Sequence, residues 1–239
     1  MTIAKTVEAL NAMQAEGVIE SYAIVGAVAT YNYIEPRLTE DLDVFVSFDQ
    51  KQHDEISALE GIAIEGWKLR FVRISNSLDR EALAEAEQVE LRNESGNPVF
   101  ARVLKPEFIV AICLRLGRPT DLIHIAQFLE ERAVDSAALC DVLARHGLRS
   151  AWQDSCARMR IDHHRATDVR EAGRTASGHP DISDILAEKA EMRRRLAKRS
   201  FQEKVVAMEA LHKRLKPFKE AREKRKAERE CYPSPAEDC

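Results

Sequence analysis

"GAVATYNYIEPRLTEDLDVFV", residues 26–46, decides how the rest of the chain is read. A glycine opens a short helical run, a loop containing Pro36 follows, and Asp41 and Asp43 then stand one residue apart among Leu42, Val44, Phe45 and Val46. Side chains alternate along a strand, so the two aspartates are expected on one face. A carboxylate taken out of water is costly unless it is paired or bound to a metal, and two on one face cost more. Either the strand is an exposed edge whose charges oppose aggregation, or the two carboxylates share a cation.

The second alternative has definite chemistry. Mg²⁺ takes oxygen ligands and commonly uses one or two protein carboxylates plus substrate phosphates. Gly26 ends the apolar strand "YAIVG" (22–26) at the mouth of a helix. Lacking a side chain, it lets a phosphate approach the backbone, and the free N–H groups of a helix start attract anions. A phosphate cradle beside a metal pair is the minimum equipment for moving a nucleotidyl group.

Outward from this stretch, the pattern predicts a helix over 3–16, a helix over 27–34 ended by Pro36, and a strand over 41–48. A helix is expected over 50–59, a bent strand or hairpin over 61–75 around Glu65-Gly66, and a helix over 79–87. Residues 88–104 read as a hairpin, because Glu94-Ser95-Gly96-Asn97 is turn chemistry between alternating runs. From Pro106 the signal is helical: a helix from Pro106 to a Gly117 C-cap, then 119–132, 135–147 and 148–159. The expected fold class is α+β, a small mixed sheet with packed helices followed by a helical C-terminal region.

The surroundings of the two aspartates sharpen the reading. Val25-Gly26-Ala27, a gap of thirteen residues (28–40), then Asp41-Leu42-Asp43-Val44 resembles the signature of the nucleotidyltransferase superfamily, the polymerase-β-like fold. "EPRLTEDLDVFV", "REALAEAEQVEL", "RVLKPEFIVAICLRLGRPTD" and "DVLARHGLRSAW" look like its small bacterial branch, which includes toxin components of abortive-infection and toxin–antitoxin systems. The resemblance covers roughly residues 1–160. It implies a nucleotidyltransferase-like domain with its sheet core in 1–104 and its helical part in 105–160. It also implies Mg²⁺ (or Mn²⁺) held by Asp41 and Asp43 as catalytic ligands. Nucleotide contacts would come from Gly26, Ala27, Arg37, Thr39 and Arg118, with an NTP as substrate and a protein or RNA acceptor.

Three departures stand beside it. Ala27 occupies a position where Gly or Ser is usual. The strand expected to bring a third carboxylate, "WKLRFVRIS", carries Arg70 and Arg73 and no acid, leaving Glu40, Glu65 and Glu90 as candidates. The turn Arg118-Pro119-Thr120-Asp121 lacks the lysine found in many relatives, and an ion pair at a helix start is the simpler reading of Arg118 and Asp121. A catalytically degenerate module that binds nucleotide or a partner protein is therefore the alternative.

The chain of 239 residues is 45% hydrophobic and 32% charged, and no apolar run approaches a membrane span. The amphipathic N-terminus lacks the core of a signal peptide. Five cysteines with no CxxC pair fit reduced thiols in a cytoplasmic protein and make zinc improbable. His163-His164 lies in a polar stretch without converging partners. Residues 1–181 hold 20 Lys+Arg against 29 Asp+Glu, a net of −9, whereas 182–230 hold 16 against 9, a net of +7. The expected organisation is a linker over 161–181, a basic helical region over 182–230 interrupted at Pro217, and a disordered tail over 231–239. Ile182, Ile185, Leu186, Leu196, Phe201, Val205, Leu211 and Leu215 form a loose apolar stripe on that region. It is similar to short helical proteins encoded beside such transferases, which implies a fused, antitoxin-like contact with the acidic front. A basic tail that binds nucleic acid is the rival reading.

Overall fold

The computed structural model describes residues 2–48, 63–64, 67–159 and 183–231. The helix expected over 50–59, Glu65-Gly66, the linker over 161–181 with its histidine pair, and residues 232–239 lie outside the described residues. The described elements are α1 (Ile3–Ala15), β1 (Ser21–Val25), α2 (Gly26–Thr30), β2 (Asp41–Ser47), β3 (Ala63–Ile64) and β4 (Trp67–Arg73). They continue with α3 (Ser77–Ala84), β5 (Glu87–Arg92), β6 (Pro98–Val103), α4 (Pro106–Leu116), α5 (Pro119–Glu130), α6 (Ser136–Arg145), α7 (Arg149–Met159), α8 (Ser183–Ala197) and α9 (Phe201–Cys231). The architecture is α+β: an open mixed sheet with packed helices and a helical C-terminal region. No helix among the described residues is long and apolar enough to cross a membrane.

The strand order is β3-β4-β2-β1-β6-β5. β2 pairs antiparallel with β1 and parallel with β4, so it is an interior strand. Interior strands of this mixed sheet can leave one face to water, and β4 and β6 do so. β1 buries Tyr22, Ala23, Ile24 and Val25, whereas β2 is only half-buried at Asp41 and Asp43 before Ser47. Because β2 is interior, the exposed-edge explanation of these two charges is removed. β4 alternates Trp67, Leu69 and Phe71 inward with Lys68 and Arg70 outward. Its register sets Leu69 against Leu42 and Phe71 against Val44, so the apolar halves of both strands share one face.

Local chemistry accounts for most boundaries. Pro106 occupies the first turn of α4 and Gly117 ends it at φ 63°, the left-handed conformation glycine tolerates. Asn93 turns the β5–β6 hairpin by accepting hydrogen bonds from the N–H groups of Ser95 and Asn97, both at 3.0 Å.

The C-terminal region departs from the expectation of a helix interrupted at Pro217. α9 runs through Pro217. That residue is exposed, so water can satisfy the carbonyl that proline leaves without a donor. The break lies instead between α8 and α9, where Ser200 and Glu203 form a reciprocal capping box: the Ser200 N–H donates to Glu203 at 2.8 Å and the Glu203 N–H to the Ser200 hydroxyl at 3.2 Å.

α9 is docked on the sheet-bearing part of the chain by its first three turns. Phe201 and Val205 are buried in the common core. Gln202 accepts from the Arg92 N–H of β5 at 2.9 Å. Glu209 accepts from the Ile3 N–H at 2.6 Å, placing an acid at the positive end of α1. Lys204 is buried and donates to the Ala197 carbonyl at 2.7 Å, tying the end of α8 to α9. Phe201→Ala is expected to lower unfolding free energy by about 3–5 kcal/mol, the usual cost of truncating a buried phenylalanine. Urea denaturation monitored by circular dichroism measures it.

Candidate functional site

Asp41 and Asp43 point to the same side of β2 and are bridged by one guanidinium. Arg70 Nε donates to Asp43 Oδ1 at 2.7 Å, and Arg70 Nη1 lies 3.5 Å from Asp41 Oδ2. The parallel register explains the meeting, because Arg70 is paired with Asp43 across β4 and β2. Arg73, three residues on, is paired with Val46 and belongs to the opposite face. The side chains of Asp43, Asp41 and Arg70 are 19%, 39% and 53% exposed. Ion pairs this open to water are worth no more than about 1 kcal/mol, so Arg70 is a displaceable partner.

Gly26 stands against the same carboxylate. It is exposed and sits at φ 65°, where β1 turns directly into α2. A Cβ built on it would lie 2.6 Å from Asp43 Oδ2. β1 and β2 are in register there, Val25 opposite Asp43, so the glycine turn and the carboxylate pair are neighbours across the sheet. The α2 N-terminus has no side-chain cap, and Ala27 follows half-buried in its first turn. Burial raises the Asp43 pKa above the ordinary carboxylate value, against the opposing pull of Arg70 and, further off, Arg118.

Arg118 reaches the site from the α5 N-terminus. Its Nε and Nη2 donate to Asp121 at 2.8 and 3.0 Å, and Asp121 also accepts from the Arg118 N–H at 3.1 Å. The ion pair at a helix start is therefore present, and it fixes a cation within electrostatic range of Asp43. Arg37 is exposed and near enough to His124 to act with burial in holding that imidazole below its usual pKa. Thr39 is engaged locally: its hydroxyl accepts from the Asp41 N–H at 3.2 Å, turning the chain into β2. Gly26, Asp41, Asp43 and Arg70 thus converge, Arg118 acts on Asp43 only through its charge, Arg37 acts likewise on His124, and Thr39 shapes the strand entry.

The candidates for a third carboxylate fare differently. Glu90 lies on β5 at the far edge of the sheet and pairs with Arg92 at 2.8 Å. Glu40 is turned toward Lys68, at 3.6 Å, and Lys219. Glu65 lies outside the described residues. In the register position beside Asp43 stands Arg70, a cation where the pattern called for an acid.

A second group of ligand-type atoms lies next door. Cys113, Asp121 and His124 place a sulfur, a carboxylate oxygen and a ring nitrogen within 4.8 Å of one another. Asp121 already serves Arg118, and the Arg37 and Arg118 charges that act on His124 repel a dication. Burial pushes the Cys113 thiol up to about 12, so it is no ready thiolate. Burial likewise raises Cys156 to about 11. Further away, His146 Nε2 meets Glu81 at 2.7 Å and its Nδ1 lies 3.4 Å from the Ser77 hydroxyl. Glu81 is shared with Arg145, which makes this a tie between α3 and α6.

Sequence reasoning missed His124, which carries no local motif, and named Arg70 and Arg73 together without telling which of them meets the aspartates. It missed His212 and Lys219 of α9 entirely, since nothing in a helix periodicity says which loop that helix will touch. Gly26→Ala is expected to destabilise the chain by roughly 1–2 kcal/mol from the left-handed backbone alone, with more from the displaced Asp43. Thermal unfolding of the variant measures it. For His124 the folded pKa is lowered, so the folded state binds fewer protons than the unfolded one. Its contribution is complete above the unfolded value of about 6.5 and is lost as pH falls below it. His124→Gln should therefore shrink the stability difference between pH 7.5 and 5.5 in chemical denaturation.

No family model matches this chain, and no curated protein matches it.

Proposed function

We propose that the chain is a Mg²⁺-dependent nucleotidyltransferase that moves a nucleoside monophosphate from an NTP to a protein or RNA acceptor. On this reading the sheet is of the nucleotidyltransferase fold and the protein works in a toxin–antitoxin or defence pair. The observation that carries it is the juxtaposition of two carboxylates on an interior strand with the glycine turn of the neighbouring strand. Burial raises the Asp43 pKa and Arg70 offsets that cost only in part, which supports reading the pair as a cation site.

The donor set fits the ion. Asp41 and Asp43 already grip one cation, the Arg70 guanidinium, and two carboxylates with open flanks match the habit of Mg²⁺ to bind few protein ligands and complete its shell with phosphates and water. The bound ion would supply Lewis-acid polarisation of the α-phosphate. The chain's own residues do the rest. The exposed Gly26 turn admits phosphate to the backbone of Ala27. Arg118, held rigid by Asp121, offers positive charge to the triphosphate, and Arg70 can neutralise charge on the phosphoryl oxygens once released from Asp43. The acceptor hydroxyl oxygen forms the new bond to the α-phosphorus and gives its proton to solvent water, while the bond from the α-phosphorus to the α–β bridging oxygen breaks and pyrophosphate leaves with that oxygen.

A second reading is favoured by one observation. Arg70 satisfies both carboxylates and occupies the register position of the missing third acid. A degenerate module would keep this internal pair and bind nucleotide or a partner without turnover.

Incubation with each α-labelled NTP and Mg²⁺, alone and with cell extract, separates the two. Label transfer that drops by at least about 10²-fold in Asp41→Ala and Asp43→Ala supports the transferase. Equal transfer by wild type and variants excludes the site. Nucleotide binding with no transfer in any extract favours the degenerate module.

A further inference from the structure

The segment between α2 and β2, residues 31–40, carries Arg37 and Thr39 and delivers the chain to Asp41, yet it has no regular secondary structure. A ten-residue loop of this kind takes its conformation from whatever it touches. Part of the support comes from the front of the chain: the Tyr31 hydroxyl donates to the Arg37 carbonyl, Asn32 and Tyr33 donate to Glu87 at 2.9 and 2.6 Å, Ile34 is buried, and Lys68 approaches Glu40. The half of the loop that leads into Asp41 is also met from the far end of the sequence. Arg193 of α8 pairs with Glu35 at 3.7 Å. The His212 ring of α9 lies near the Thr39 backbone and edge-on to Trp67, ring centroids 4.8 Å apart. Lys219 of α9 pairs with Glu40.

We infer that α8 and α9 form a clamp that sets the loop 31–40, with His212 and Lys219 as positioning residues for the carboxylate site. Among the described residues, Arg193 and Lys219 pair with Glu35 and Glu40, and His212 lies near Thr39 between them, over six residues that end next to Asp41. The exposed ion pairs are individually weak, so the grip depends on several contacts made together and on a rigid base. That base exists: Phe201, Val205 and Glu209 seat α9 in the core one to three turns before His212. Trp67, which supports the His212 ring, also begins β4, the strand that carries Arg70. The clamp therefore holds the loop and the Arg70 strand from one helix.

Lys219 meets Glu40 and leaves Asp41 and Asp43 to Arg70. The tail acts as a support that completes the site, not as a plug seated in it. In its nucleotide-binding consequence the inference rests on the transferase reading; the clamp itself does not.

Full-length wild type, His212→Ala/Lys219→Ala, His212→Ala/Lys219→Arg and Gln202→Ala are compared by amide hydrogen exchange and by titration with each NTP in the presence of Mn²⁺. Gln202 contacts Arg92 at the other end of α9 and controls for general loosening of the tail. The clamp predicts exchange at residues 37–41 faster by about tenfold in the double alanine variant, with 42–46 unchanged. It predicts an intermediate effect with Lys219→Arg, wild-type loop exchange in Gln202→Ala, and NTP affinity several-fold weaker wherever the loop loosens. Unchanged loop exchange in the double variant overturns the clamp. Tighter NTP binding in that variant overturns the supporting role, because a plug would have been removed. Faster loop exchange in the double alanine variant, with no NTP bound by the wild type, leaves the clamp standing and removes the transferase reading instead.

Discussion

The close approach of the Gly26 backbone to the Asp43 carboxylate is the constraint around which the candidate site is built. Only a residue without a side chain can hold φ 65° there and leave room for an oxygen 2.6 Å from the place a Cβ would take. The contact joins two neighbouring strands at the point where β1 becomes α2. Everything else nearby follows from it. Asp43 is half-buried because the turn covers it. Its pKa rises because burial outweighs Arg70. Arg70 is drawn in because the register of β4 leaves a cation opposite an acid in need of one.

The same arrangement separates stability from use. A raised pKa at Asp43 means that the folded state disfavours its charge relative to water. Arg70 offsets only part of that cost, since the pair is open to solvent. The resident guanidinium thus leaves the carboxylate pair partly uncompensated.

The C-terminal helices alter the meaning of the charge asymmetry along the chain. Among the described residues, Arg193 to Glu35 and Lys219 to Glu40 are the ion pairs that join the basic C-terminal helices to the loop before β2. The seating itself is apolar, by Phe201 and Val205, with Lys204 and Glu209 buried only because each has a specific backbone partner. Beyond Lys219 α9 is exposed as far as residue 227, a solvated charged helix in keeping with its mixed-sign sequence.

What could be read without coordinates was whatever is local. The alternation that aims Asp41 and Asp43 to one side follows from the period of a strand. The Pro106 start and Gly117 stop follow from backbone sterics, and the Arg118–Asp121 pair follows from the charge at a helix N-terminus. Even the Ser200–Glu203 capping box was written in the residues, whereas Pro217, a breaker by its local chemistry, is tolerated in α9 because it is exposed. What only the tertiary structure decided was non-local. That β2 is an interior strand depends on its pairing with both β1 and β4. That Arg70 and not Arg73 meets the aspartates depends on a register, and one residue of slip would reverse it. That His212 and Lys219 reach the loop before Asp41 depends on where a helix more than 150 residues later comes to rest. Sequence periodicity states which face of an element is apolar, but the partner of that face is chosen by the packing of the whole chain.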